Sequence, residues 1–194
     1  VVSAIQAITP LADTAAAEAV IARTRLWLER AVIGLNLCPF AKAVYVKQQV
    51  RFVVTAATTA DELLAELAQE LTLLDQADPE IISTTLLIHP QAMTDFLDYN
   101  DFLEAADAAV DALQLDGVLQ VASFHPDYQF ADTGPQDIGN YSNRAPFPTL
   151  HLLREESLDR AIEAFPDPES IFGTNLKTLE KLGLSGWKAL FSDA

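Results

Sequence analysis

Apolar positions along the chain switch between helical spacing and strict alternation, and each switch marks an element. Ala17, Val20, Ile21, Leu28, Ala31, Val32 and Leu35 fall on one helical face and predict an amphipathic first helix, capped by Asp13 and stopped by Gly34 and Asn36. Gln49 to Thr55 (QVRFVVT) is β-branched and alternating, which predicts a strand. Thr59 and Glu62 form a capping box, and Leu63, Leu64, Leu67, Leu71 and Leu74 then lay a leucine stripe along a helix that ends by Asp78-Pro79. Ile81 to Ile88 (IISTTLLI) is apolar enough for a strand buried on both faces, and His89-Pro90 terminates it. Phe96, Tyr99, Leu103, Ala106, Val110 and Leu113 mark a long helix that starts near Thr94 or Asp95.

Gly117 admits a third strand, Val118 to Phe124, and periodicity then vanishes from His125 to Pro148, which reads as one long loop. Thr149 to Arg154 resumes as a fourth strand, followed by a short helix through Leu158, Ala161, Ile162 and Phe165. Asp167-Pro168-Glu169 is an N-cap with proline at the first helical position, opening a helix to Gly183. Ser185 opens a last turn carrying Trp187, Leu190 and Phe191. Strands alternating with helices predict a single α/β domain over residues 1–194, with residues 1–12 a loose terminus. The sheet is expected to hold about four strands, mostly parallel or mixed, with the direction of the fourth left open.

Composition narrows the class. Half of the residues are hydrophobic and 21% are charged, the balance of a folded chain with a sizeable core. No apolar run reaches the ~18 residues a membrane span needs. The start, Val1-Val2-Ser3-Ala4-Ile5, has neither an initiator Met nor the basic and apolar regions of a secretory signal, and looks trimmed. A single cysteine, Cys38, excludes a disulfide scaffold and suits a reducing compartment, so a cytoplasmic location is expected. Twenty-eight acids against twelve bases give a net charge of −16, which argues against nucleic-acid and membrane-surface partners. The acidity is concentrated in residues 51–116, where Arg51 is the one base against fourteen acids, and it reads as the solvent face of two helices.

No phosphate-binding glycine loop, dinucleotide fingerprint, HExxH, nucleophile elbow or CxxC pair is present, and nothing calls for a cofactor. Candidate chemistry gathers instead in the loop Phe124 to Pro148 (FHPDYQFADTGPQDIGNYSNRAPFP), which is aromatic enough to pack. Three readings follow. In the first, Cys38 is a nucleophile, His125 its base, and Arg144 or loop N–H groups hold a small anionic substrate, with Asn140, Asn143, Tyr128 and Tyr141 completing the binding site. The Cys38 thiol is then expected to be ionised and reactive, provided Pro39 starts a new helix through Val44. In the second, His89 and His125, each at the end of a strand, build a metal site with Cys38 or an Asp, although no ligand pair has a diagnostic spacing. In the third, the aromatic loop of a non-catalytic domain binds an anion or a protein. His151, alternating with Leu150 and Leu152, reads as a core or cross-strand histidine.

Gly34-Leu35-Asn36-Leu37-Cys38-Pro39-Phe40, Phe124-His125-Pro126 and Asn140 to Glu155 (NYSNRAPFPTLHLLRE) give the chain a further reading. Over residues 23 to 190 it resembles a bacterial family catalogued as domain of unknown function family 1415. The resemblance implies family membership without an activity, and it points to Cys38, His125, Asn140, Asn143, Arg144, His151 and Glu155 as motif positions. The chain departs from the family pattern at Ser142, where Thr is preferred, and at Ala145, where Ser is preferred, so position 145 offers no hydroxyl nucleophile.

Overall fold

The computed structural model describes residues 14–163 and 170–192; the Asp13 cap, the Asp167-Pro168-Glu169 helix start and residues 1–12 lie outside them. Helix α1 (Thr14–Trp27) continues into a π-helical segment, Leu28–Ile33. Helix α2 (Ala41–Val46), strand β1 (Val50–Val54), helix α3 (Ala60–Gln76), strand β2 (Thr84–Ile88), helix α4 (Phe96–Ala112) and strand β3 (Leu119–Phe124) follow. A 3₁₀ turn (Ile138–Ser142) lies inside the long loop, before β4 (Thr149–Arg154), α5 (Glu155–Glu163) and α6 (Ser170–Ala189). The last helix is broken at Gly183, whose φ of 65° sits in the left-handed region open to glycine, so the expected stop there is met.

The strand order is β1-β2-β4-β3. β1 and β2 pair in parallel, while β4 runs antiparallel to both β2 and β3. The three strands that alternate with helices therefore share one direction, but β1–β2 is the one parallel pair. The sheet is mixed rather than mainly parallel for a local reason. β3 leads to β4 through a loop with no crossover helix, and such a connection returns the chain antiparallel beside the strand it left.

Strand parity sorts the two faces of the sheet. On one face Val53, Leu87, Leu150 and Leu152 meet the stripe Leu63, Leu67, Leu71 and Leu74 of α3 and Tyr99, Phe102, Ala106 and Val110 of α4. The expected capping box of α3 is formed, with Glu62 N–H donating to Thr59 Oγ1 and Glu62 Oε2 accepting from Thr59 N–H at 3.2 Å. Arg51 leaves this face to form a two-point ion pair with the buried Glu70, at 2.9 and 3.2 Å. The opposite face carries Phe52, Val54, Leu86, Ile88 and Phe124 and is covered by α1, the π segment and α2. No helix among the described residues is long and apolar enough to cross a membrane.

Candidate functional site

The π segment ends in a tight reversal. Gly34 N–H donates to Glu29 O at 2.9 Å, and a methyl at Gly34 would lie 2.4 Å from Arg30 O, so the position admits no larger residue without a shift. Asn36 takes a left-handed φ of 55°, and the chain then delivers Cys38 and Pro39 to the start of α2. Cys38 is half-buried and packs against the cluster of Trp27, Leu28, Ala31, Val32 and Ala145 over the second face of the sheet.

There it lines a cavity of about 540 Å³. The floor is sheet: Val50, Thr84, Leu86, Ala122, Phe124 and His151; the walls are Trp27, Leu28, Val32 and Phe40. Most of the lining is apolar, and the polar groups that reach it are few. His151 is one of them. Its cross-strand neighbours are Leu86 on β2 and Ala122 on β3, so parity sends its ring to the same face as the cavity. The expected cross-strand bond is also made, to Thr84 Oγ1 at 2.8 Å. Thr84 spends its hydroxyl proton on Leu152 O at 2.6 Å, so it accepts from His151 Nε2–H. Nδ1 of His151 then carries the lone pair, and it makes no hydrogen bond among the described residues.

Two opposing effects act on the Cys38 thiol. Burial pushes its pKa up, and the backbone N–H groups of Phe40 and Ala41 pull it down by a smaller amount. The balance favours the thiol over the ionised form expected from the sequence, because α2 is a short helix of six residues whose N–H groups do not offset an apolar cavity. Burial likewise pushes His151 down to about 4, so its imidazole is neutral at neutral pH.

His125 does not line the cavity that holds Cys38. It follows Phe124, whose ring faces the cavity, and the next residue along an extended strand points the other way. Its ring lies against Tyr99 and Phe96 of α4, with centroids 5.1 and 5.5 Å apart. His125 Nδ1 accepts from Asp127 N–H at 3.0 Å and Nε2 reaches Met93 O at 3.3 Å, which uses both nitrogens in shaping the strand end. His89 does stand at the matching end of β2, as expected, stacked 5.6 Å from the same Tyr99. Its Nδ1–H donates to Ala92 O at 2.9 Å, and Nε2 is buried without a partner. Among the described residues no three His, Cys, Asp or Glu side chains come together as metal ligands.

The long loop is held by its own polar side chains. Asn140 is fully buried, its Oδ1 accepting from Phe130 N–H at 3.0 Å and Thr133 Oγ1 at 2.9 Å while Nδ2 donates to Gly134 O at 2.8 Å. Asn143 Nδ2 donates to Ser123 O at 3.2 Å, tying the loop to β3. Tyr128 packs between Phe96 and Phe130. These three hold the loop closed, because a buried irregular backbone needs partners for its N–H and C=O groups. Of the expected binding residues, Tyr141 and Arg144 do line a cleft of about 560 Å³, on the far side of Trp27 from the Cys38 cavity. Glu155 N–H bonds to Val118 O at 3.0 Å at the turn from β4 into α5.

An α/β domain with a small apolar cavity on one face of its sheet, holding a thiol and an imidazole, is the class that fold and site define. The chain belongs to the family described as "Protein of unknown function (DUF1415)", whose model matches residues 19–189. No curated protein and no solved structure matches it.

Proposed function

We propose that the protein is a thiol enzyme whose site is the cavity over the sheet, with Cys38 as nucleophile and His151 as its base. The observation that carries the reading is that these two side chains line one cavity, and that Thr84 fixes the His151 tautomer with its lone pair on Nδ1. A nucleophile, a base and a group that orients the base are the parts of a nucleophilic site. Both groups rest neutral, so this is general-base catalysis in which the thiol proton passes to Nδ1 as the sulfur attacks. Phe40 and Ala41 N–H then favour the developing thiolate. The apolar lining selects a substrate whose reacting carbon is carried on a small hydrophobic group.

A non-catalytic binding domain is the second reading, favoured by the burial that keeps Cys38 protonated. Acyl transfer separates the two. Mixed with p-nitrophenyl acetate or butyrate, the wild type should release p-nitrophenol and gain one acyl group on Cys38, seen by mass spectrometry. Cys38→Ser should gain none there, and His151→Gln should acylate slower by about a hundredfold, the usual scale of base catalysis. If neither ester acylates Cys38, or His151→Gln acylates as fast as the wild type, the enzyme reading fails.

A further inference from the structure

We propose that the cleft on the other side of Trp27 is a separate binding site for a small organic carboxylate with an aromatic or apolar body. This site does not depend on Cys38 or His151. Its charge comes from Arg23 on α1 and Arg144 in the loop, two cations in one cleft of a chain whose net charge is −16. Among the described residues the ion pairs are Arg51–Glu70 and Arg160–Glu156, so neither cleft arginine is paired with a described carboxylate. Arg23 lies over the Phe147 ring at 5.6 Å. Arg144 is pre-positioned: Nε donates to Tyr128 O at 3.1 Å, Nη2 to Pro135 O at 2.8 Å, and the guanidinium lies 4.5 Å from the Tyr141 ring centroid. Nη1 makes no hydrogen bond among the described residues and is left for a ligand.

The rest of the cleft is aromatic. Tyr141 meets Trp187 edge to face at 5.1 Å, and Trp187 meets Phe191 at 5.8 Å. Arg30 Nη1 donates to Leu190 O at 2.6 Å and so holds this aromatic wall against the π segment. A planar guanidinium matches a carboxylate, and ring faces match a flat body. Pro126 and Pro146 line the cleft and bring no N–H groups of the kind that phosphate sites usually add. A monoanionic carboxylate also meets less repulsion from the acidic chain than a phosphate dianion does.

Both tryptophans of the chain line the cleft, Trp187 this cleft alone and Trp27 the Cys38 cavity as well, so emission responds to occupation and the Arg23 variant assigns the response to the cleft. Phenylacetate titrated into the wild type should change the emission saturably, and phenylacetamide, of the same shape without charge, should bind at least about tenfold more weakly. Inorganic phosphate should not compete at equal concentration. Arg23→Gln removes an exposed side chain that lines this cleft and not the Cys38 cavity, and it should weaken phenylacetate by about tenfold while leaving phenylacetamide unchanged. Equal binding of acid and amide, competition by phosphate, unchanged affinity in Arg23→Gln, or no saturable change in the wild type would each overturn the proposal. The acylation of Cys38 is measured independently, so failure here leaves that reading standing.

Discussion

His89 and His151 show how one side chain takes two roles according to which face of the sheet it meets. His89 stacks on Tyr99 in the main core with its Nε2 unpartnered, whereas His151 faces a cavity with its Nε2 bonded to Thr84. Burial pushes both down to about 4 from the ordinary 6.5. The unfolded chain therefore binds protons at these sites that the folded chain refuses, and this stability is complete above pH 6.5 and lost as pH falls towards 4. The melting temperature should fall on going from about pH 7.5 to about pH 5, and His89→Gln should flatten that fall whatever its melting temperature at neutral pH. An unchanged slope in His89→Gln would show that the ring titrates as freely folded as unfolded.

The same scale shows what the sequence could and could not disclose about the site. Cys38 and Arg144 stood out by scarcity, one thiol and a lone loop cation. Asn140 and Asn143 were indistinguishable from ligand-binding residues because a short polar side chain serves a backbone or a ligand equally well. His151 was read as a core or cross-strand residue, and it bonds across strands to Thr84. That it also faces the cavity was legible only through register, since Ala122 and Leu86 beside it are small or apolar and leave room.

Among the elements, the change from α to π winding at Leu28 sets the geometry before Cys38. An i→i+5 helix is wider than an α-helix and recurs at functional sites. Gly34 makes its tight exit possible, so Gly34→Ala should lower stability by about 1 to 3 kcal/mol in urea titration, because the new methyl meets the Arg30 carbonyl. Gly173→Ala in α6 is the matched control: nothing lies within 4 Å of its new methyl, and stability should stay level or rise. Equal effects of the two would show that the reversal relaxes freely. The elements themselves were largely legible, since the α3 capping box and the leucine stripe are local signals. The π winding was not, because the same apolar spacing serves both helices. Nor was the direction of β4, which depends on how the chain from His125 to Pro148 closes on itself through Asn140 and Asn143.

At the scale of the molecule, the sheet divides two kinds of packing. One face, under α3 and α4, is a closed leucine-rich core whose outer helix faces carry much of the acidic charge. The other face, under α1, the π segment and α2, is less completely filled and leaves the cavity that Cys38 and His151 share. The coupling of those two side chains is the central claim, and the pH profile of Cys38 alkylation by iodoacetamide in the wild type and in His151→Gln tests it most directly. In the wild type the thiol should react more slowly than in the urea-unfolded chain, because burial raises its pKa. Near neutral pH the wild type should still outpace His151→Gln by about tenfold or more, with the two profiles converging at alkaline pH once the thiol ionises unaided. Superimposable profiles would contradict the account.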